Sequence, residues 1–213
     1  MMNFKSILVF TYVIYAVMMM YISRFGFNMY LNNLGTLFLL SLMILDIRKN
    51  VLSRIGFWGL WMFSVLHSIG ACWLYSFVPY NEWITSLFNF DLDLFFGFQR
   101  NQYDRLVHFL FGLLLLQATK DLITKKFNFT PVQALFVAFL CIQVFSMLYE
   151  FFEWGISVFA SERISENYNG QQGDVWDAHK DMALAMLGSI FSFLFLRIGV
   201  RYTKENKLVK IIK

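Results

Sequence analysis

Six apolar blocks, each about as long as a bilayer is thick, limit what this 213-residue chain can fold into. They lie near residues 4–22, 27–45, 55–78, 104–119, 131–159 and 177–198. A helix of about 20 apolar residues crosses a hydrocarbon core of roughly 30 Å. Backbone in lipid must satisfy its own hydrogen bonds, which leaves helices or a closed barrel. Unbroken apolar runs, without alternation, select helices. The expected fold is therefore all-α, an integral membrane bundle of about six transmembrane helices. With 15% charged residues the chain falls well below the share of about a quarter usual in soluble domains.

The length leaves no room for a large soluble domain beside such a bundle, so residues 1–213 read as a single polytopic membrane domain. The third and fifth blocks exceed one crossing and must tilt or protrude. The fourth is short and starts in the segment before it. That segment, 79–103, mixes aromatic residues with Glu82, Asp91, Asp93 and Arg100, which suits a stretch lying at the outer interface. A buried re-entrant loop is the alternative. The first block lacks a small-residue cleavage site and outruns the apolar core of about 7–15 residues of a signal peptide, so it reads as a retained helix. Cys72 and Cys141 fall in separate apolar blocks and read as free thiols.

Basic residues set the expected orientation. With six spans, Lys5, then Arg48, Lys49 and Arg54, then Lys120, Lys125 and Lys126, and finally the basic tail of 199–213 all share one side with Arg197. Positive charge marks the cytoplasmic side, so both termini are expected there. The net charge of +4 thus points to anionic headgroups and to the lipid bilayer as partner, with no nucleic acid. Acids divide the opposite way, most of them falling at the outer ends of the spans.

Three helices carry these acids on single faces. In the fifth span Gln143, Ser146, Glu150, Glu153 and Ser157 fall within roughly 80° of one another at about 100° per residue. The fourth opens with Asp104, His108 and Gly112 on one face, and the sixth with Asp174, Asp177, Asp181, Gly188 and Ser192. His179 points away. The three clusters meet at the outer face and could gather six carboxylates and one imidazole. Arg105 and Lys180 cannot neutralise that number; a divalent cation would. Zn, Mn and Mg all accept carboxylate and imidazole ligands. Asp104, His108, Glu150, Glu153, Asp174, Asp177 and Asp181 are the candidate metal ligands, with Glu150, Glu153 and His108 as candidate acid–base residues. Other readings stay open: Asp104 and Asp174 or Asp177 as helix N-caps, His108 as a hydrogen-bonded interior residue, and the acids as protonated partners of one another. His67, Cys72, Asn32 and Asn33 lie in other spans, in supporting positions at most.

At "RNQYDRLVHFLFG", "FSMLYEFFEWG" and "GQQGDVWDAHKDMALAMLG" the chain resembles the YjdF-like family of bacterial inner-membrane proteins over about residues 55–198. More distantly it is similar to the VanZ-like superfamily. The likeness places a DR-x-x-H motif on Asp104, Arg105 and His108, and a YE-x-x-EW motif on Tyr149, Glu150, Glu153 and Trp154. A third falls on Gln172, Gly173, Asp174, Trp176, Asp177 and Asp181. Where the family carries a histidine before the outer Val-Pro, this chain has Cys72, with His67 five residues earlier. The resemblance implies a multi-pass protein of the bacterial plasma membrane, and through VanZ-like relatives a tie to the cell envelope.

Three functions follow as expectations. The first is a metal-dependent hydrolase or transferase acting on a lipid or envelope precursor. The second is a non-enzymatic protein that binds a cation or an envelope ligand. The third, a proton- or cation-coupled transporter, is weakened by the apolar cytoplasmic halves of the same helices, which continue no relay.

Overall fold

The computed structural model describes residues 3–23, 25, 27–159 and 172–212, with side chains for 3–23, 25, 30–159 and 172–199. Arg24, Arg163 and the side chains of the basic tail beyond residue 199 lie outside them. The described residues contain helices and turns and no strand. The long helices are α1 (Phe4–Ile22), α2 (Phe27–Lys49), α3 (Arg54–Cys72), α6 (Tyr103–Lys126), α7 (Pro131–Phe159) and α8 (Asp177–Ile212). Two short ones, α4 (Tyr80–Phe88) and α5 (Leu92–Phe96), join α3 to α6. Six of these helices are long and apolar enough to cross a membrane, as the apolar blocks require.

Helix ends depart from the hydropathy limits for local reasons. The third block continues to residue 78, but α3 stops at Cys72. There Leu74 and Tyr75 take left-handed φ values of 50° and 56°, and Tyr75 N donates back to Gly70 O at 2.8 Å. The Tyr75 ring then packs where a side chain at Gly70 would stand. The fourth block gains its last turns from Lys120, Asp121, Lys125 and Lys126, which are helical and not loop. Likewise α2 runs on through Asp46 to Lys49, and α8 runs past residue 198. Hydropathy ends where charge begins; a helix needs only continued backbone pairing.

The bundle is two groups of three helices. In one, α1, α2 and α3 pack together; in the other, α6, α7 and α8 do, and the α3–α6 contact joins them. Close backbone approach makes the joints. A Cβ at Gly112 of α6 would strike the Ala185 carbonyl of α8, and one at Gly188 would strike that of Phe109. On the other flank of α6, Gly59 of α3 sits against the Leu114 carbonyl. Small residues at such crossings let helices in lipid gain van der Waals contact without a hydrophobic driving force.

The end holding the starts of α1 and α3 and the close of α2 is tied by two carboxylates. Asp46 receives Lys5 Nζ at 2.6 Å and the amides of Val51 and Leu52 at 2.8 Å each. Lys5 Nζ also donates to Asn50 Oδ1 at 2.9 Å and Leu52 O at 2.8 Å. Asp121 near the end of α6 takes the Ser53 amide at 2.8 Å and its hydroxyl at 2.6 Å. At the opposite end, α6 and α8 begin and α7 finishes, which brings the acidic stripes together.

Candidate metal and acid–base site

Each stripe faces inward over most of its length, although Ser157, last in the α7 stripe, is exposed. Asp104, His108, Glu150, Glu153, Asp177 and Asp181 are all buried, Asp181 to 2% exposure and Glu150 to 5%. They line the interior of the α6–α7–α8 group near its acidic end. Farther in, the α7 stripe continues with Gln143 Nε2 donating to Ser189 Oγ of α8 at 2.9 Å.

The acids separate into two sets with different partners. In the inner set, His108 Nε2 lies 3.6 Å from Glu150 Oε1 and 3.8 Å from Asp104 Oδ1, too far for hydrogen bonds but close enough to share a small ligand. One ligand atom each from Asp104, His108 and Asp181 falls within 4.8 Å of the others. Glu150 Oε1, Asp181 Oδ1 and Ser146 Oγ are buried with no hydrogen-bond partner. A buried carboxylate oxygen left unpaired is costly. Two such oxygens, from Glu150 and Asp181, near one imidazole fit a site built for a cation or for protons. Tyr149, whose ring lies 5.8 Å from the His108 ring centre, borders it.

In the outer set, Asp174 and Asp177 are held by cations. Arg100 Nη1 meets Asp177 Oδ1 at 2.5 Å, and Arg105 is hydrogen-bonded to Asp174 and reaches Asp177 at 3.5 Å. Lys180 Nζ adds a 2.6 Å contact to Asp174. The Lys180 hydrogen bond, then the Trp176 amide, and Arg105 besides, hold the Asp174 carboxyl down at about 2. Asp174 also shapes the start of α8, its Oδ1 accepting from Trp176 N at 3.0 Å and its carbonyl from Asp177 N at 3.1 Å. A helix-start role and an ion-pair role are thus combined in one residue.

The geometry therefore brings Asp104, His108, Glu150 and Asp181 together, sets Glu153 buried beside them, and gives Asp174 and Asp177 to arginine and lysine. The role of Arg100 was missed by sequence reasoning, although it stands four residues before Asp104 in the quoted motif. Its loop placement hid which helix it would reach. Asn101 and Gln172 also emerge, exchanging hydrogen bonds of 3.0 and 3.2 Å that lace the two outer segments together. His67 belongs elsewhere: its Nδ1 pairs with Tyr75 Oη at 2.5 Å, and Cys72 is buried. Both cysteines are free.

A family model described as "Predicted membrane protein (DUF2238)" matches residues 4–202. The chain belongs to this family. The match takes in α1 and α2, which carry none of the three motifs. Among curated proteins, the inner membrane protein YjdF of Escherichia coli (strain K12) is 24% identical over 157 residues, covering 73% of this chain and 71% of the relative. No solved structure matches. With its six spans, this member of the family is a multi-pass membrane protein embedded in the bilayer.

Proposed function

We propose that this plasma-membrane protein is a metal-dependent hydrolase or transferase acting at the outer leaflet on a lipid or cell-envelope precursor. The observation that carries the reading is the inner set, three convergent ligands with unpaired buried oxygens around them. Asp104, His108 and Asp181 would hold the cation, a donor set suited to Zn, Mn or Mg. When bound, such an ion polarises a substrate oxygen or acidifies a water. Glu150, 3.6 Å from His108 and with Oε1 unpaired, would take the proton. Glu153, next on the same face and buried, backs it. The outer ion pairs hold the starts of α6 and α8 in register and keep Asp174 and Asp177 from competing for the metal.

One observation favours a second reading, cation binding without turnover: the Arg100, Arg105 and Gln172 contacts close across the outer side of the acids. Metal content and lipid turnover separate the two. Mass spectrometry on monodisperse detergent-purified protein should find near-stoichiometric metal in the wild type and in Glu150→Gln, and none in Asp181→Asn. Incubation with bacterial envelope lipids should give products with wild type alone. Metal without products would select the binding reading. No metal in the wild type after exposure to Zn, Mn and Mg would overturn both.

A further inference from the structure

The α4–α5 segment carries a ridge of large apolar side chains that stand exposed among the described residues. Leu87, Phe88, Leu94, Phe95 and Phe96 are between 58% and 80% exposed. The rings form a run: Phe90 to Phe95 at 5.2 Å between centres, Phe95 to Phe96 at 4.9 Å and Phe96 to Phe98 at 5.3 Å. In water so large a contiguous patch is unusual. Neither helix is long enough to span a bilayer.

The other edge of the segment is polar and fastened. Tyr80 Oη donates to Asp93 at 2.7 Å, and Asn81 links the Leu92 amide at 2.8 Å to Asp91 at 3.1 Å. Burial, with the Asp93 carboxylate beside it, pushes the Tyr80 hydroxyl up to about 12, so it remains a donor. The height is fixed as well. Gln102 N, at the start of α6, donates to Tyr80 Oη at 3.1 Å, and Asn101 Nδ2 donates to Val78 O at 2.8 Å. The ridge thus lies level with the first turn of α6, where a span meets the headgroups. Trp73 packs edge-on against Trp83 at 5.4 Å, and Trp154 and Trp176 are exposed at this same end. Together they make the aromatic belt typical of a membrane interface, and the ridge continues it.

We propose that the α4–α5 ridge inserts into the acyl–headgroup boundary of the leaflet at the acidic end and holds Arg100 over the carboxylates, so that the site is served by an amphiphile resident in that leaflet. The last clause rests on the proposed metal site; insertion does not. Asn101 carries the coupling, since its side chain ties Val78 to the Tyr103 amide while its neighbour Arg100 grips Asp177.

Nitroxide labels test the insertion. Phe88→Cys, Phe95→Cys and, as the polar-edge control, Glu82→Cys are made in a Cys72→Ala/Cys141→Ala background and placed in phosphatidylcholine–phosphatidylglycerol nanodiscs. Labels at 88 and 95 should be relaxed more by oxygen than by an aqueous nickel chelate, and the label at 82 the reverse. Nickel dominance at 95, or a label shielded from both as in a contact with a second copy or another protein, overturns the proposal. Delivery is tested with a Phe95→Ser/Phe96→Ser double variant, by native mass spectrometry and metal analysis. It should keep the wild-type metal content and lose co-purifying phosphatidylglycerol. Equal lipid retention overturns delivery from the leaflet. Metal missing from both proteins overturns the proposed function and leaves the label depths to decide insertion.

Discussion

Asp174 shows how one side chain here serves a helix start and an ion-pair network together. Its carboxyl sits at about 2, below the ordinary value of 3.8, because Lys180, the Trp176 amide and Arg105 all favour the charged form. A depressed folded value means stabilisation that is complete above the unfolded value and is lost as pH falls through the folded one. The difference in melting temperature between the protein and Asp174→Asn should therefore stay constant from neutral pH down to roughly pH 4. Below that it should shrink. A difference that shrinks already near neutrality would show that Asp174 is not the group held by these cations. Arg100 is the residue that sequence reasoning could not place. A guanidinium in a loop can reach several helices, and only the fold shows that it reaches Asp177, 77 positions away.

At the scale of the element, the helix faces were legible and several helix ends were not. Period-3.6 spacing put Asp104 and His108, Glu150 and Glu153, and Asp177 and Asp181 on inward faces, and all six are buried. Spacing cannot tell which inward acids meet each other and which meet a base, so the split into two sets needed coordinates. The end of α3 was illegible because residues 73–78 are as apolar as the helix before them; the turn depends on left-handed backbone at Leu74 and Tyr75. Gly112 was legible as room for a neighbour, and that neighbour is the Ala185 carbonyl. Gly112→Ala should destabilise the α6–α8 joint by about 1–3 kcal/mol, the range for overpacking. Gly155→Ala, with none of the described residues within 4 Å of its added carbon, should be neutral or mildly stabilising. Thermal unfolding in detergent checks both. Equal effects would mean that the α6–α8 crossing does not depend on the missing side chain.

At the scale of the molecule, the division of charge between the two ends carries the expected orientation. A fluorescent protein fused after residue 213 should fold and fluoresce in the cytoplasm, while alkaline phosphatase inserted within 79–103 should be active outside. The reverse pattern would move the acidic site to the cytoplasmic face and overturn the outer-leaflet reading. The six-span, all-helical architecture was readable from the length and unbroken apolarity of the blocks, because lipid leaves the backbone so few choices. The arrangement into two helix triplets was not, since apolar blocks do not record which neighbours they touch. The clamp of Lys5 on Asp46, Asn50 and Leu52 closes within the first 52 residues. Protein segments made first can fold before later ones exist. The contact that ties α1 to the close of α2 is thus complete in sequence while the ribosome is still making the rest. Once α3 has joined them, α6 can dock against it at Gly59 on leaving the insertion machinery, with Asp104 and His108 facing the side that α7 and α8 later fill.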